Sequence, residues 1–165
     1  MISDHRRRPQ QIDLIAYCLI VLWTLLVFYT AYWRYLNFGF GSDGFIYWYA
    51  LRNFAFFGEA WSGPVMGNLL SKHIYLTFFF LSPIVWIVDS PLLLLLVSTI
   101  CFIASILLTY KITIDLKRQR ALAAAMATAV ALHPISMNII GADSFFFQPD
   151  CLVAPLSLLL LLTSI

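Results

Sequence analysis

The sequence predicts an all-α, polytopic membrane protein with about four transmembrane helices and membrane-lying helices in a long first outer loop. Three observations lead there. Of the 165 residues, 62% are hydrophobic and 11% charged, whereas soluble domains run at about 45 to 50% and about 25%. Several apolar runs without a charge approach the roughly 20 residues that a helix needs to cross about 30 Å of hydrocarbon. These runs are continuous, while a β-barrel would show short alternating strands, and only helices and closed barrels satisfy their own backbone in lipid.

Residues 1–13, MISDHRRRPQQID, put Arg6, Arg7 and Arg8 ahead of the first apolar run. Cytoplasmic flanks are enriched in Lys and Arg, so the N-terminus is expected inside the cell. Residues 14–33 form the first span. The run is too long for the core of a signal peptide and lacks a clear small-residue cleavage site, so it is expected to be retained. Residues 34–90 then form an extracytoplasmic loop dense in aromatics. Within it, residues 42–57 read as a helix lying on the membrane: Ser42 or Asp43 caps it, Phe45, Trp48, Tyr49 and Phe56 give it a broad apolar face, and Gly58 ends it. Residues 73–88, HIYLTFFFLSPIVWIV, are short for a span and carry Pro83.

Charge parity decides how that segment is read. The basic residues Lys111, Lys117, Arg118 and Arg120 also belong inside. With spans at 14–33 and 91–114, residues 73–88 then lie at the outer interface or dip in and return, the alternative being a short crossing helix that breaks the charge rule. Residues 115–120 form a cytoplasmic loop, 121–140 a third span, 141–150 an outer loop and 151–165 a truncated fourth span. That truncation leads us to expect a piece of a longer protein. The setting is a cell (inner) membrane crossed several times, and the lipid bilayer is the first expected partner.

The formal charge of +2 gives no basis for nucleic-acid binding. Cys18, Cys101 and Cys151 lie in or beside apolar runs without metal-ligand spacing and read as small hydrophobic residues, not as a disulfide or metal site. No nucleotide-binding, zinc-protease or serine-hydrolase motif is present.

Two acids stand out on the expected outer face. Asp43 lies in FGFGSDGF, where glycines allow close backbone approach; it reads first as a helix cap and, compatibly with that, as a carboxylate at a cavity mouth, a general base or a ligand for a divalent cation such as Mg or Mn. Asp150 follows Pro149 at the start of the last run, where a carboxylate favours the positive end of a helix. Gln148 beside it can orient a hydroxyl or phosphate. Lys72 and His73 suit either an interfacial anchor or a lipid phosphate, and His133 lies at membrane depth in ALHPISMN.

This order of features resembles the N-terminal part of the GT-C class of polytopic glycosyltransferases. It is nearest to a family of bacterial predicted membrane proteins of unknown function in the GT-C clan. The resemblance rests on HIYLTFFFLSPIVWIVDSPLLLLL and on FFFQPDCLVAPLSLLLL, with Gln148 where that family usually has His. It implies transfer of a sugar from a polyprenyl-phosphate donor to an acceptor at the outer membrane face. Asp43 would activate the acceptor, directly or through a divalent cation, and Asp150 would orient the acceptor or a metal. Arg52, Lys72, His73 and Gln148 would bind substrate. The alternative is a non-catalytic four-span accessory or structural membrane protein, whose aromatic outer loop serves a protein partner.

Overall fold

The computed structural model describes residues 7–37, 42–61, 67–68, 76–117, 119–133 and 149–164. The described elements are helical: α1 (Arg7–Leu36), α2 (Ser42–Phe57), α3 (Leu76–Val85), α4 (Leu92–Lys117), α5 (Arg120–Ala131), a 3-10 turn (Pro149–Leu152) and α6 (Val153–Thr163). Among the described residues extended pairing is limited to the isolated bridge between Trp61 and Asn68. Two helices contain stretches long and apolar enough to cross a membrane, Leu14–Trp33 in α1 and Leu92–Leu116 in α4.

Helix α1 has 30 residues, about 45 Å of axial rise. It buries a single stripe, Thr24, Val27 and Ala31, and leaves Leu14, Leu22, Leu25, Tyr29 and Trp33 exposed. Such a surface suits a helix in lipid, since an amphipathic helix of a soluble protein shows polar side chains on its outer face. The Thr24 hydroxyl donates to the Ile20 carbonyl at 2.7 Å, so the buried polar atom is satisfied within its own helix.

Helix α4 starts on Ser90-Pro91. The Ser90 hydroxyl accepts from the Leu92 amide at 3.3 Å, and Pro91 sits where a missing N–H costs nothing. Its hydroxyls are handled as in α1: Thr99, Ser105, Thr109 and Thr113 each donate to the carbonyl four residues back at 2.8 Å. The helix continues past the expected residue 114 to Lys117 because Lys111 and Asp115, one turn apart, pair at 2.9 Å.

Helices α1, α4 and α5 share one apolar cluster of Val27, Phe102, Ile106, Tyr110, Ala123, Ala127 and Ala131. The alanines at every fourth position of α5 let its backbone come close to α4. Tyr17 of α1 meets Tyr110 of α4 edge to face at 5.4 Å, and Val27 shares that cluster with Phe102, so α1 and α4 run antiparallel. The helix expected over 121–140 ends at Ala131, with Leu132 as its C-cap. Pro134 accounts for this, because its ring disfavours helical backbone at His133. Residues 134–140 lie outside the described residues.

A second cluster lies toward the Leu92 end of α4. Trp48, Ala50 and Leu51 of α2, Phe78, Leu81 and Val85 of α3, Leu93–Leu95 of α4, Ala31 and Ala60 form it, with Cys151 packed against it. Helix α2 has the bounds expected from sequence, and Gly58, at φ +76°, ends it in the left-handed region while its amide bonds the Phe54 carbonyl at 3.0 Å. The segment left open between lying and dipping contains α3, and Pro83 sits inside that helix. Pro83 cannot donate to the Phe79 carbonyl; the Ser82 hydroxyl approaches that oxygen at 3.3 Å instead.

Candidate functional site

Among the described residues, an ion pair, hydrogen bonds and aromatic contacts tie α2 to α3 and to the turn before α4. Arg52, in the third turn of α2, faces Asp89 in the turn that leads into α4. Its Nε donates to both carboxylate oxygens at 2.8 and 3.1 Å, and its Nη2 donates to Oδ2 at 3.0 Å. A planar guanidinium matched to a carboxylate in this way fixes orientation as well as charge. The same guanidinium stands over the Phe56 ring, 5.2 Å from its centre. The hydrogen bonds from Arg52 hold the Asp89 carboxyl below its usual range, and reciprocally the Asp89 bonds and charge raise Arg52 above its own.

Trp86 adds a second tie. Its indole N–H donates to the Ala55 carbonyl at 2.9 Å. Ala55 lies in the last turn of α2, where carbonyls have no helical partner, so this bond caps the helix from outside. Phe54 packs against Phe78 and Phe79 of α3, the latter edge to face at 5.0 Å. Asn53 donates to the Trp61 carbonyl at 2.6 Å and ties down the chain beyond Gly58.

Around these ties the surface is apolar. Phe57, Trp61, Trp86 and Ile87 are exposed, Ile87 to 85%. A patch of this kind beside a paired charge marks a surface meant for lipid or a partner.

Asp43 is the second residue of α2, and Asp150 is the second residue of the 3-10 turn. Helices α2 and α3 pack together, and α3 and α4 both touch the 3-10 turn. The elements carrying the two acids therefore meet in one apolar cluster, which the sequence could anticipate only as a shared face. Lys72, His73 and Gln148 lie outside the described residues. Arg52 is not a free cation; its partner Asp89 is engaged with it. His133 is exposed just beyond the end of α5.

Compared with known families, characterised proteins and solved structures, the chain matches none.

Two features were missed from sequence. Asp89 was visible as a charge, but nothing in the spacing of Arg52 and Asp89, 37 residues apart, points to their pairing. Cys101 and Cys151 were read as separate small hydrophobes, and their side chains are hydrogen-bonded to each other. No disulfide joins them. Among the described residues no three His, Cys, Asp or Glu side chains cluster as a metal site would require.

Proposed function

We propose that the chain is a GT-C-like portion of a multi-pass membrane glycosyltransferase that uses a polyprenyl-phosphate sugar donor at the outer membrane face. The observation that carries this reading is the convergence of α2 and the 3-10 turn, each with an acid at its second position, on one apolar cluster beside the Leu92 end of α4. The spans Leu14–Trp33 and Leu92–Leu116 support placement in a cell membrane. On this reading α5 and α6 lie in the membrane beside the two long helices, and the N-terminus is cytoplasmic.

The chemistry follows from the donor. Asp43 takes the proton of an acceptor hydroxyl, and the oxygen attacks the anomeric carbon from the face opposite the phosphate. The bond from that carbon to phosphate oxygen breaks, and its electron pair leaves with polyprenyl phosphate. A base must lie within hydrogen-bonding reach of the proton it takes. Lys72 and His73 offset the charge of the leaving phosphate, and Asp150 with Gln148 orients the acceptor. Arg52 reaches a phosphate only by exchanging Asp89 for it.

Asp43→Asn keeps the shape of the side chain and removes the base. Sugar transfer in membranes carrying this variant is expected to fall by about 10² to 10⁴-fold, while insertion is unchanged; undiminished transfer would reject the catalytic role. Cysteines placed at Ser42 and Ser144 are both expected to react with an impermeant maleimide added outside the cell, and reaction at one alone breaks the shared face.

The exposed patch of Phe57, Trp61, Trp86 and Ile87 favours a second reading, a non-catalytic accessory protein that presents its outer loop to a membrane partner. For such a protein Asp43→Asn is silent.

A further inference from the structure

Helix α6 shows one face to the rest of the protein. Pro155 is buried, Cys151, Leu158 and Leu162 are half-buried, and the residues between them from Val153 onward are exposed. Spacings of four, three and four residues describe one stripe of an α-helix. Helix α4 has a matching stripe. Cys101, Ser105 and Ile112 are buried and Leu108 is half-buried, with the same spacings in the same order. This stripe is distinct from the Phe102, Ile106 and Tyr110 line that packs on α1 and α5, and Ile112 belongs to neither apolar cluster. Helices α4 and α6 pack directly on each other, and the Cys101 and Cys151 thiols meet.

These stripes fit only if α6 runs parallel to α4, Cys151 beside Cys101 and Leu162 beside Ile112. Run the other way from Cys151, α6 would leave Ser105 and Ile112 uncovered. Cys101 is nine residues beyond Leu92, about 14 Å along the helix axis. That is close to half of the roughly 30 Å hydrocarbon layer. The far end of the paired stripe comes level with Lys111 and Asp115, the charged turn of α4.

We propose that α6 is a half-membrane helix that begins inside the bilayer, near its middle, so that Asp150 stands at membrane depth and not at the water surface. The 3-10 turn that carries Asp150 is inserted between α3 and α4, both of which touch it. Non-helical backbone is tolerated at that depth only where protein covers it or where it lines a cavity. Ser98 gives a second sign of a polar space there. It is 2% exposed, lies on the α4 line of Ser105 about one turn before Cys101, and its hydroxyl has no hydrogen-bond partner, unlike those of Thr99, Ser105, Thr109 and Thr113. An unsatisfied buried hydroxyl in a helix that satisfies its others calls for a ligand or water. The depth itself does not depend on the glycosyltransferase reading. Resting on that reading, a further consequence is that the lipid-borne substrate reaches Asp150 sideways from the leaflet.

The test uses the chain in liposomes, with cysteines replaced by serine except at one introduced position, Val153→Cys or Thr163→Cys, both lipid-exposed. Each carries a nitroxide, and its relaxation by oxygen and by a water-soluble nickel chelate reports depth. The expected result is the deeper label at position 153 and the shallower at 163. The reverse order, with 153 at the headgroups and 163 deep, overturns the proposal. In a Cys18→Ser chain, copper-phenanthroline oxidation is expected to join Cys101 to Cys151, two electrons and two protons passing to the oxidant; failure to cross-link while an outer-loop cysteine pair joins also counts against the register. Neither readout involves sugar transfer, so a silent Asp43→Asn would leave the depth intact.

Discussion

Arg52 and Asp89 show what a partner does to a residue picked out as a lone charge. The guanidinium reads from sequence as free to meet a phosphate, but the structure commits it to Asp89 through three hydrogen bonds. Since the folded Asp89 carboxyl titrates below its unfolded range, the pairing stabilises the fold above the ordinary carboxylate range and is lost only as pH falls through the lowered folded value. Arg52 is shifted upward and stays charged throughout. Arg52→Gln should therefore return the Asp89 titration, followed by carboxyl NMR, to the ordinary aspartate range. An unchanged titration would mean that the pair does not persist in the membrane. Asp89 escaped sequence reasoning because ion pairing across 37 residues depends on how α2 folds against the turn before α4, which no local pattern encodes.

At the scale of elements, local chemistry was legible wherever it was punctuated. Ser42 and Gly58 bracket α2, and the structure keeps those bounds because Gly58 takes the left-handed conformation that a helix end requires. The basic flanks and the apolar length likewise marked α1 and α4. Pro134 was legible too, but the apolar run through it masked its effect, and α5 stops at Ala131. Residues 73–88 are short for a span and carry Pro83, so composition leaves open whether they cross or lie on the membrane; α3 accommodates Pro83, with Ser82 taking over the Phe79 carbonyl. Packing between helices was the least legible property. Alanines abound in α5, yet only Ala123, Ala127 and Ala131 are buried. Ala127→Leu should overpack that contact and cost about 1 to 3 kcal/mol, measured by SDS-induced unfolding, whereas Ala125→Leu on the exposed side should cost little. Equal effects would show that α5 does not pack as described.

For the whole molecule, the helical class and the two long apolar helices are legible in the sequence, because hydrocarbon imposes length and composition on any helix suited to cross it. It did not give depth. Asp150 reads as the wet start of a span when only its neighbours are considered, and the register of α6 on α4 becomes visible only when buried faces of both helices are compared. The candidate site was legible in the same uneven way. Asp43 and Asp150 can be named from composition and position, but the cluster that gathers their helices depends on Trp48, Phe78 and Leu94, side chains that look like any other lipid-facing residues in the sequence.

The inward-bonded hydroxyls of α4 have a consequence for how the assembly comes apart. Thr99, Ser105, Thr109 and Thr113 spend their protons on their own helix, so along this stretch α4 meets α1 and α5 by shape. The layer formed by α2 and the turn before α4 is different, because one of its ties is an ion pair open to solvent and dissolved ions screen such a pair. Rising salt should therefore undo the two layers in sequence. Amide exchange in α2 is expected to quicken between low and molar salt while α4 and α5 keep their protection, and simultaneous loosening would mean that electrolyte reaches the bundle itself. The ionic strength of the surrounding water thus acts on the cap of the molecule and leaves its stem untouched.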